Sequence, residues 1–495
     1  MGITDNESAP VGTKRLGATL VQPDAALIGK NLGDGPVRLF RGQWGDKPGR
    51  GRLFGASPNS LFVIQPVFGI AAKFWNHIGF FRYNTFSMAN TTNPKEKIRV
   101  LLLENIHPLA KTMFAAEGFE VETLSSALSG NQLKEMIREI HILGIRSKTQ
   151  IKADDLAEAK NLLAIGAFCI GTNHIALDAA KNLGIAVFNA PFGNTRSVAE
   201  MMIAEIIMLS RQLGDRTSEM HRKIWKKVSS GCNEVRGKTL GIIGYGNIGT
   251  QVSTLAEAMG MRVIFYDIIP KLPRGNAKVC STLEHVLQES DFVTLHVPAT
   301  TLTHMMIDRA QLKMMKRGSY LINASRGTVV DIAALAEALK SKHLSGAAID
   351  VFPDEPETNT EDFQIELQGL SNVILTPHVG GATEEAQSNI GEEVPTSLIR
   401  FVKTGSTTRS VNFPEVDLPP TSETHRILNV HQNVPGVLRD VNRIISDLGA
   451  NIEAQTLATD PDIGYLIFDT DKAVSAEVKK AIESLTASIR TRILY

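Results

Sequence analysis

Cysteine is scarce: Cys169, Cys232 and Cys280 are the only three in 495 residues, far apart and without a C-x-x-C or zinc-like spacing. That excludes a disulfide scaffold and fits free thiols in a reducing compartment, with no metal site implied. Net charge is missing too. The chain sets 52 lysines and arginines against 52 aspartates and glutamates, so no bulk field draws it to nucleic acid or to an acidic membrane surface. Also absent is an uninterrupted apolar run of about 20 residues, the length a spanning helix needs. The nearest approach, Ser60–Phe81, is broken by Lys73 and His77. No charged start runs into an apolar core, as a secretory signal would require. Neither a membrane nor a nucleic-acid partner is expected.

What is present is ordinary globular material, 43% apolar and 21% charged, enough for more than one core. At about 150 residues per domain the length suggests roughly three domains. Residues 1–96 stand apart. Their first 87 residues are Gly-rich and lean basic, with Arg38, Arg41, Lys47, Arg50 and Arg52 close together. We expect this extension to be disordered or absent from the mature protein. Either it is a transit or regulatory segment, or translation begins at Met88; the second is favoured. A cytoplasmic location is expected, with organellar targeting by 1–87 left open.

From Lys97 the pattern becomes regular. Short apolar runs at 98–103, 120–123, 141–145, 163–165 and 186–188 alternate with helical stretches at 108–117 and 132–139. Such alternation implies βαβ units and a parallel sheet. A long helix is expected from about Ser197, with Met201, Ala204, Ile207 and Met208 at helical spacing. A second series of strands follows at 239–243, 262–266, 292–296, 319–323, 347–351 and 373–375. The fold class is therefore α/β: a Rossmann-type doubly wound sheet (197–382) inserted in a flavodoxin-like α/β substrate domain (97–196, resuming at 383–413). The linker 414–424 is rich in Pro, Thr and Ser. The tail, 425–495, reads β-α-β-β-α-β, a ferredoxin-like α+β plan. About 70 residues is small for an isolated core, so pairing with a second copy would add burial.

The glycines Gly244, Gly246 and Gly249 follow the strand at 239–243 and open a helix. In that context they suit a tight turn, backbone approach to a pyrophosphate, and close helix–sheet packing, with the helix N-terminus offering N–H groups to phosphate. Asp267 ends the next strand, where a carboxylate accepts from the ribose hydroxyls and repels a 2′-phosphate. The cofactor expected is NAD.

Arg326, Glu355 and His378 lie just beyond separate strands of this sheet, each in a Pro- or Gly-marked loop. Ligands of open α/β sheets bind outside the carboxyl ends of strands. Oxidising a 2-hydroxyacid removes a hydride from C2 and a proton from its hydroxyl. A histidine can take that proton, a carboxylate can orient the ring, and an arginine can grip the substrate carboxylate. His378, Glu355 and Arg326 fit those catalytic roles.

These motifs, with Gly144–Ser147, Ile170–Asn173, Phe188–Phe192, Asn194–Glu200, Leu321–Asp331, Asp350–Pro356 and Thr376–Gly381, resemble the D-2-hydroxyacid dehydrogenase family. Residues 97–495 resemble its phosphoglycerate-specific branch, which opens serine biosynthesis. The resemblance implies substrate contacts from Arg146, Ser147 and Asn194, with Arg146 and Lys148 offering cationic groups to a phosphorylated acid. It implies cofactor contacts from Asn247, Ile248, His296, Ala324, Ser325, Asp350, Val379, Gly380 and Gly381, with Asp350 holding the nicotinamide carboxamide. Trp225 matches a subunit-contact position, and Lys227 would reach a neighbouring subunit's site. A homotetramer acting on 3-phosphoglycerate is implied.

The tail resembles an ACT domain, which implies feedback by L-serine. His431 and Asn433 would sit in the loop before the helix that starts after Gly436, and Asn451 would come from the partner chain. Two alternatives are weighed against this reading: a related dehydrogenase acting on 2-hydroxyglutarate, and an NAD-sensing corepressor-like protein. Nothing in the family resembles residues 1–87.

Overall fold

The structure is a computed structural model, and it describes residues 97–356, 362–421 and 423–495. The expectations for residues 1–96, including Ser60–Phe81 and the Met88 start, lie outside the described residues. Among the described residues no helix is long and apolar enough to cross a membrane.

The first domain carries β1 (Arg99–Leu102), β2 (Glu120–Thr123), β3 (Ile142–Ile145), β4 (Ala164–Ala167) and β5 (Ala186–Phe188). All pair in parallel, in the order β2-β1-β3-β4-β5. The central strands read as continuous apolar runs because helices cover both faces of a parallel sheet. Val100, Ile142 and Phe188 face one core, while Leu101, Leu143 and Val187 face another. The edge strand β2 is mostly exposed and is sequence Glu-Val-Glu-Thr, a charged edge that resists strand addition.

The helix Thr195–Arg211 carries the chain into the second domain. It starts two residues before the expected boundary at 196/197. Its buried face is Val198, Ala199, Met202, Ile206 and Leu209, not the expected stripe of Met201, Ala204, Ile207 and Met208, which is only partly covered or exposed. Both faces of this helix are apolar, so periodicity alone could not choose between them.

Seven parallel strands follow: β6 (Thr239–Ile243), β7 (Arg262–Tyr266), β8 (Lys278–Val279), β9 (Phe292–Leu295), β10 (Tyr320–Asn323), β11 (Gly346–Ile349) and β12 (Val373–Leu375). Their order is β12-β11-β10-β9-β6-β7-β8. Chain progression reverses between β6 and β9, the switch point where such sheets open a crevice. The two-residue β8 was not legible as a strand. The helix Glu384–Thr404 returns to the first domain and packs on helix Pro108–Ala116. Thr383 caps it by accepting from Ala386 N–H, two glutamates occupy its first turn, and Gly405 ends it with φ 78°, each as helix-end electrostatics and sterics favour.

The third domain contains β13 (His425–Gln432), β14 (Ile452–Thr459), β15 (Ile463–Thr470) and β16 (Ser488–Leu494), antiparallel in the order β14-β15-β13-β16. One face packs Ile427, Leu466 and Phe468 against its two helices. The other face places Leu428, Val430, Tyr465 and Ile467 against Phe188, Phe401 and Phe413 of the first domain. The additional burial expected from a second copy is thus supplied on this face by the same chain.

The linker between these domains is pinned. Val416 is buried, its N–H donates to Thr407 Oγ1 at 2.8 Å, and Arg426 donates to the carbonyls of Leu418 and Pro419. Arg426 also holds Asp469 in a buried ion pair at 2.7 Å.

Candidate active site

The glycine turn lies between β6 and the helix Asn247–Ala258. Gly244 has φ 91°, and a Cβ there would lie 2.5 Å from the carbonyl oxygen of His296. No side chain larger than hydrogen fits that turn. A Cβ on Gly249 would meet Gly244 O at 2.3 Å, whereas one on Gly246 would meet nothing within 4 Å. Gly246 therefore faces open space at the start of a helix that no side chain caps. Unclaimed N–H groups beside open space suit a pyrophosphate.

Asp267 follows β7. Its carboxylate accepts from Tyr245 N–H at 2.8 Å and Ile269 N–H at 2.9 Å, which fixes it beside the turn. His296 follows β9, with Nε2 at 3.0 Å from Thr294 Oγ1 and Nδ1 buried without a partner. Burial pushes its pKa down to about 3, so the ring is neutral and one nitrogen remains for a ligand. Asn247 reaches across the crevice to Pro191 O at 3.4 Å. Ile248 lies partly covered in the first turn of the same helix.

Arg326 emerges beyond β10 on a turn braced by buried Asn323. Asn323 donates to Arg326 O at 3.0 Å and accepts from Ser325 N–H and Oγ at 3.0 and 2.8 Å. Ala324 is partly covered and Ser325 buried in that turn. The Arg326 guanidinium crosses to the first domain, where a Cβ on Gly171 would be 2.6 Å from Nη2.

His378 sits beyond β12 with φ 54°, in the left-handed region that costs a non-glycine residue strain. Asp350 holds this geometry. Its carboxylate accepts from Thr376 Oγ1, Val379 N–H and Gly380 N–H at 2.6, 2.8 and 2.9 Å, and its carbonyl accepts from His378 N–H at 2.8 Å. Both Asp350 oxygens are thus engaged with the His378 loop, which gives this residue a bracing role beside the carboxamide contact that the family resemblance implies.

The His378 Nδ1 lies 2.7 Å from Glu355 Oε2, while Oε1 accepts from Phe352 N–H at 3.1 Å. The bond to Glu355 raises the His378 pKa, against burial and the charge of Arg326. Burial pushes Glu355 up, but its bond to His378, the histidine charge, the Phe352 N–H and Arg326 together hold it below its ordinary value. Arg326, Glu355 and His378 are therefore within electrostatic reach of one another.

On the first domain's side, Arg146 is partly exposed, while Ser147 and Lys148 are exposed. Asn194 adjoins Gly381, whose Cβ would lie 2.5 Å from its Nδ2, and Asn194 Oδ1 is buried without a partner. Sequence reasoning missed Asn323, Thr376 and Glu104. Thr376 and Glu104 act on groups 26 and 44–45 positions away, which no spacing rule signals, while Asn323 braces its own turn two and three residues on.

The tail residues are arranged differently from expectation. His431 is within β13 rather than in the following loop, is buried, and bonds Asn429 Oδ1 at 3.0 Å. The strand runs on because His431 still pairs with Gly464. Asn433 Nδ2 donates to Asp460 O at 2.7 Å. Asn451 precedes β14, whose first residue pairs with Thr470, at the opposite end of the sheet from Gly464. Within one chain these three do not meet. Trp225 is 80% exposed, and Lys227 is exposed near it in sequence.

Residues 203–380 match the D-isomer specific 2-hydroxyacid dehydrogenase NAD-binding domain, and residues 427–490 match the AHAS small subunit-like ACT domain. A D-3-phosphoglycerate dehydrogenase of Dictyostelium discoideum is 56% identical over 405 residues, covering 82% of this chain and 99% of the relative. That of Escherichia coli K12 is 49% identical over 411 residues, covering 82% of this chain and 100% of the relative. Among solved structures, a D-lactate dehydrogenase of Aquifex aeolicus complexed with NAD and lactic acid aligns with TM-score 0.57 at 29% identity, covering 64% of this chain and 100% of that one.

Proposed function

Since this chain belongs to the D-3-phosphoglycerate dehydrogenases of the D-isomer-specific 2-hydroxyacid dehydrogenase family, we propose that it oxidises 3-phosphoglycerate to 3-phosphohydroxypyruvate with NAD, the first step of L-serine biosynthesis. The observation that carries this is the 2.7 Å His378–Glu355 bond within electrostatic reach of Arg326, beyond the carboxyl ends of β10 to β12.

The glycine turn from Gly244 to Gly249 and Asp267 would hold NAD, which when bound supplies the hydride acceptor. Arg326 grips the substrate carboxylate through its planar fork. Arg146 and Lys148 draw the phosphate. With Nδ1 bonded to Glu355, the Nε2 of His378 is left to take the proton of the C2 hydroxyl. The Glu355 carboxylate stabilises the imidazolium that results, and in the reverse direction His378 returns the proton to the C2 oxygen. Asp350 keeps the ring in place through its backbone bonds, and Asn194 and Gly381 close the crevice between the domains.

The ACT domain supports regulation by a small amino acid, and we take L-serine as the effector. A site using His431, Asn433 and Asn451 needs two copies of the sheet, because one copy keeps them at opposite ends. This favours a homo-oligomer, a tetramer if Trp225 makes a second contact. The test is NADH-dependent reduction of 3-phosphohydroxypyruvate by the purified full chain, with and without serine. Turnover that serine inhibits is expected. No NADH consumption, or faster turnover of 2-oxoglutarate, overturns the assignment.

A further inference from the structure

Glu104 lies just beyond β1, at the crevice edge of the first sheet, and is 7% exposed. Its φ is 62° and that of Asn105 is 52°, two successive non-glycine residues in the left-handed region. Such a pair persists only where surrounding structure holds it. What holds it is a pair of charge-assisted bonds: the Glu104 carboxylate accepts from Lys148 N–H at 3.0 Å and from Thr149 N–H at 2.9 Å. Those donors follow β3, the neighbour of β1. The loop Arg146–Thr149 is thereby tied to the end of β1.

The same loop is gripped from its other side. The His174 ring bonds to the backbone of Arg146, and Ile151 N–H donates to His174 O at 2.8 Å. Arg326, Glu104 and Arg146 all act electrostatically on Cys169, so the tied loop and Arg326 lie within electrostatic reach of one common residue. Among the described residues neither Glu104 nor Arg146 forms an ion pair. The Glu104 charge is spent on backbone N–H groups, and the Arg146 guanidinium is left for an external anion.

We propose that Glu104 is a positioning residue for substrate choice: by tying the backbone of Lys148 and Thr149 to the end of β1, it sets Arg146 and Lys148 at the distance from Arg326 that an acid with a second, phosphorylated end requires. This rests on the phosphoglycerate reading. A misplaced loop leaves Arg326, His378 and the cofactor crevice intact but misses the remote phosphate. Glu104 therefore governs KM for the phosphorylated substrate rather than NADH binding.

The test uses the full chain and compares wild type, Glu104→Gln and Glu104→Asp. The glutamine keeps the shape but offers an N–H₂ to one of the two donors; the aspartate keeps the charge but is too short to serve both. Glu104→Gln is expected to raise KM for 3-phosphohydroxypyruvate about tenfold or more, as loss of charge-assisted bonds implies, with the NADH dissociation constant within twofold of wild type. Glu104→Asp gives an intermediate rise, and carries the test if the glutamine variant does not fold. A KM rise under threefold, or loss of NADH affinity in step with KM, overturns the proposal. If wild type itself does not reduce 3-phosphohydroxypyruvate, the functional assignment has failed instead.

Discussion

Replacing Glu205 with glutamine should change how stability depends on pH. Glu205 is on the helix Thr195–Arg211, 3% exposed, with both carboxylate oxygens buried and unpartnered. Burial, and then the charge of Asp350, push its pKa from 4.5 up to about 8. The folded state thus binds more protons than the unfolded state between those two values. By linkage, the group's contribution to stability falls as pH rises through that window. Its cost is under about 1 kcal/mol at pH 5 and about 4 kcal/mol at pH 8, from about 1.4 kcal/mol per pKa unit. The unmet bonds of glutamine cost the same at every pH. From pH 5 to pH 8 the Glu205→Gln variant should therefore gain about 3 kcal/mol relative to wild type. For a domain of this size that is roughly 6–12 °C in the midpoint of its transition. Calorimetry of both proteins across this range, following the second domain's own transition, measures it. Parallel curves of Tm against pH for the two proteins would refute the reasoning.

Two further changes probe the crevice. The Glu355 bond raises the His378 pKa, so Glu355→Gln lets burial and Arg326 pull it down. Reduction needs the protonated ring, and the alkaline limb of kcat/KM for 3-phosphohydroxypyruvate should move to lower pH; an unmoved limb would show that His378 does not govern it. Asp267→Ala removes an acceptor fixed by Tyr245 and Ile269 N–H. Fluorescence titration should find NADH bound about tenfold or more weaker, with discrimination against NADPH reduced. Unchanged NADH affinity would remove Asp267 from the cofactor site.

The parallel sheets were legible because strands covered on both faces become short apolar runs, and helices between them force parallel crossovers. Arg326, Glu355 and His378 were legible because each follows such a run. Their loops fall at the same end of one sheet. The stripe of the helix Thr195–Arg211 was not legible, since both its faces are apolar and only packing on the helix Asn247–Ala258 and the sheet beneath selects one. Nor was the tail's docking, because its alternating strands say that one face is apolar without saying what covers it.

The sequence by itself determined the element order, the glycine turn with its acidic partner at the end of the next strand, and the loops that carry the reacting groups. These depend on periodicity and on local backbone sterics, which act over a few residues. Tertiary structure alone decided that Asp350 braces the His378 loop, that Glu104 ties down the Arg146 loop, and that Glu205 is sealed beside Asp350. Each depends on groups between 26 and about 145 positions apart being brought close together and shut off from water, which no local pattern encodes.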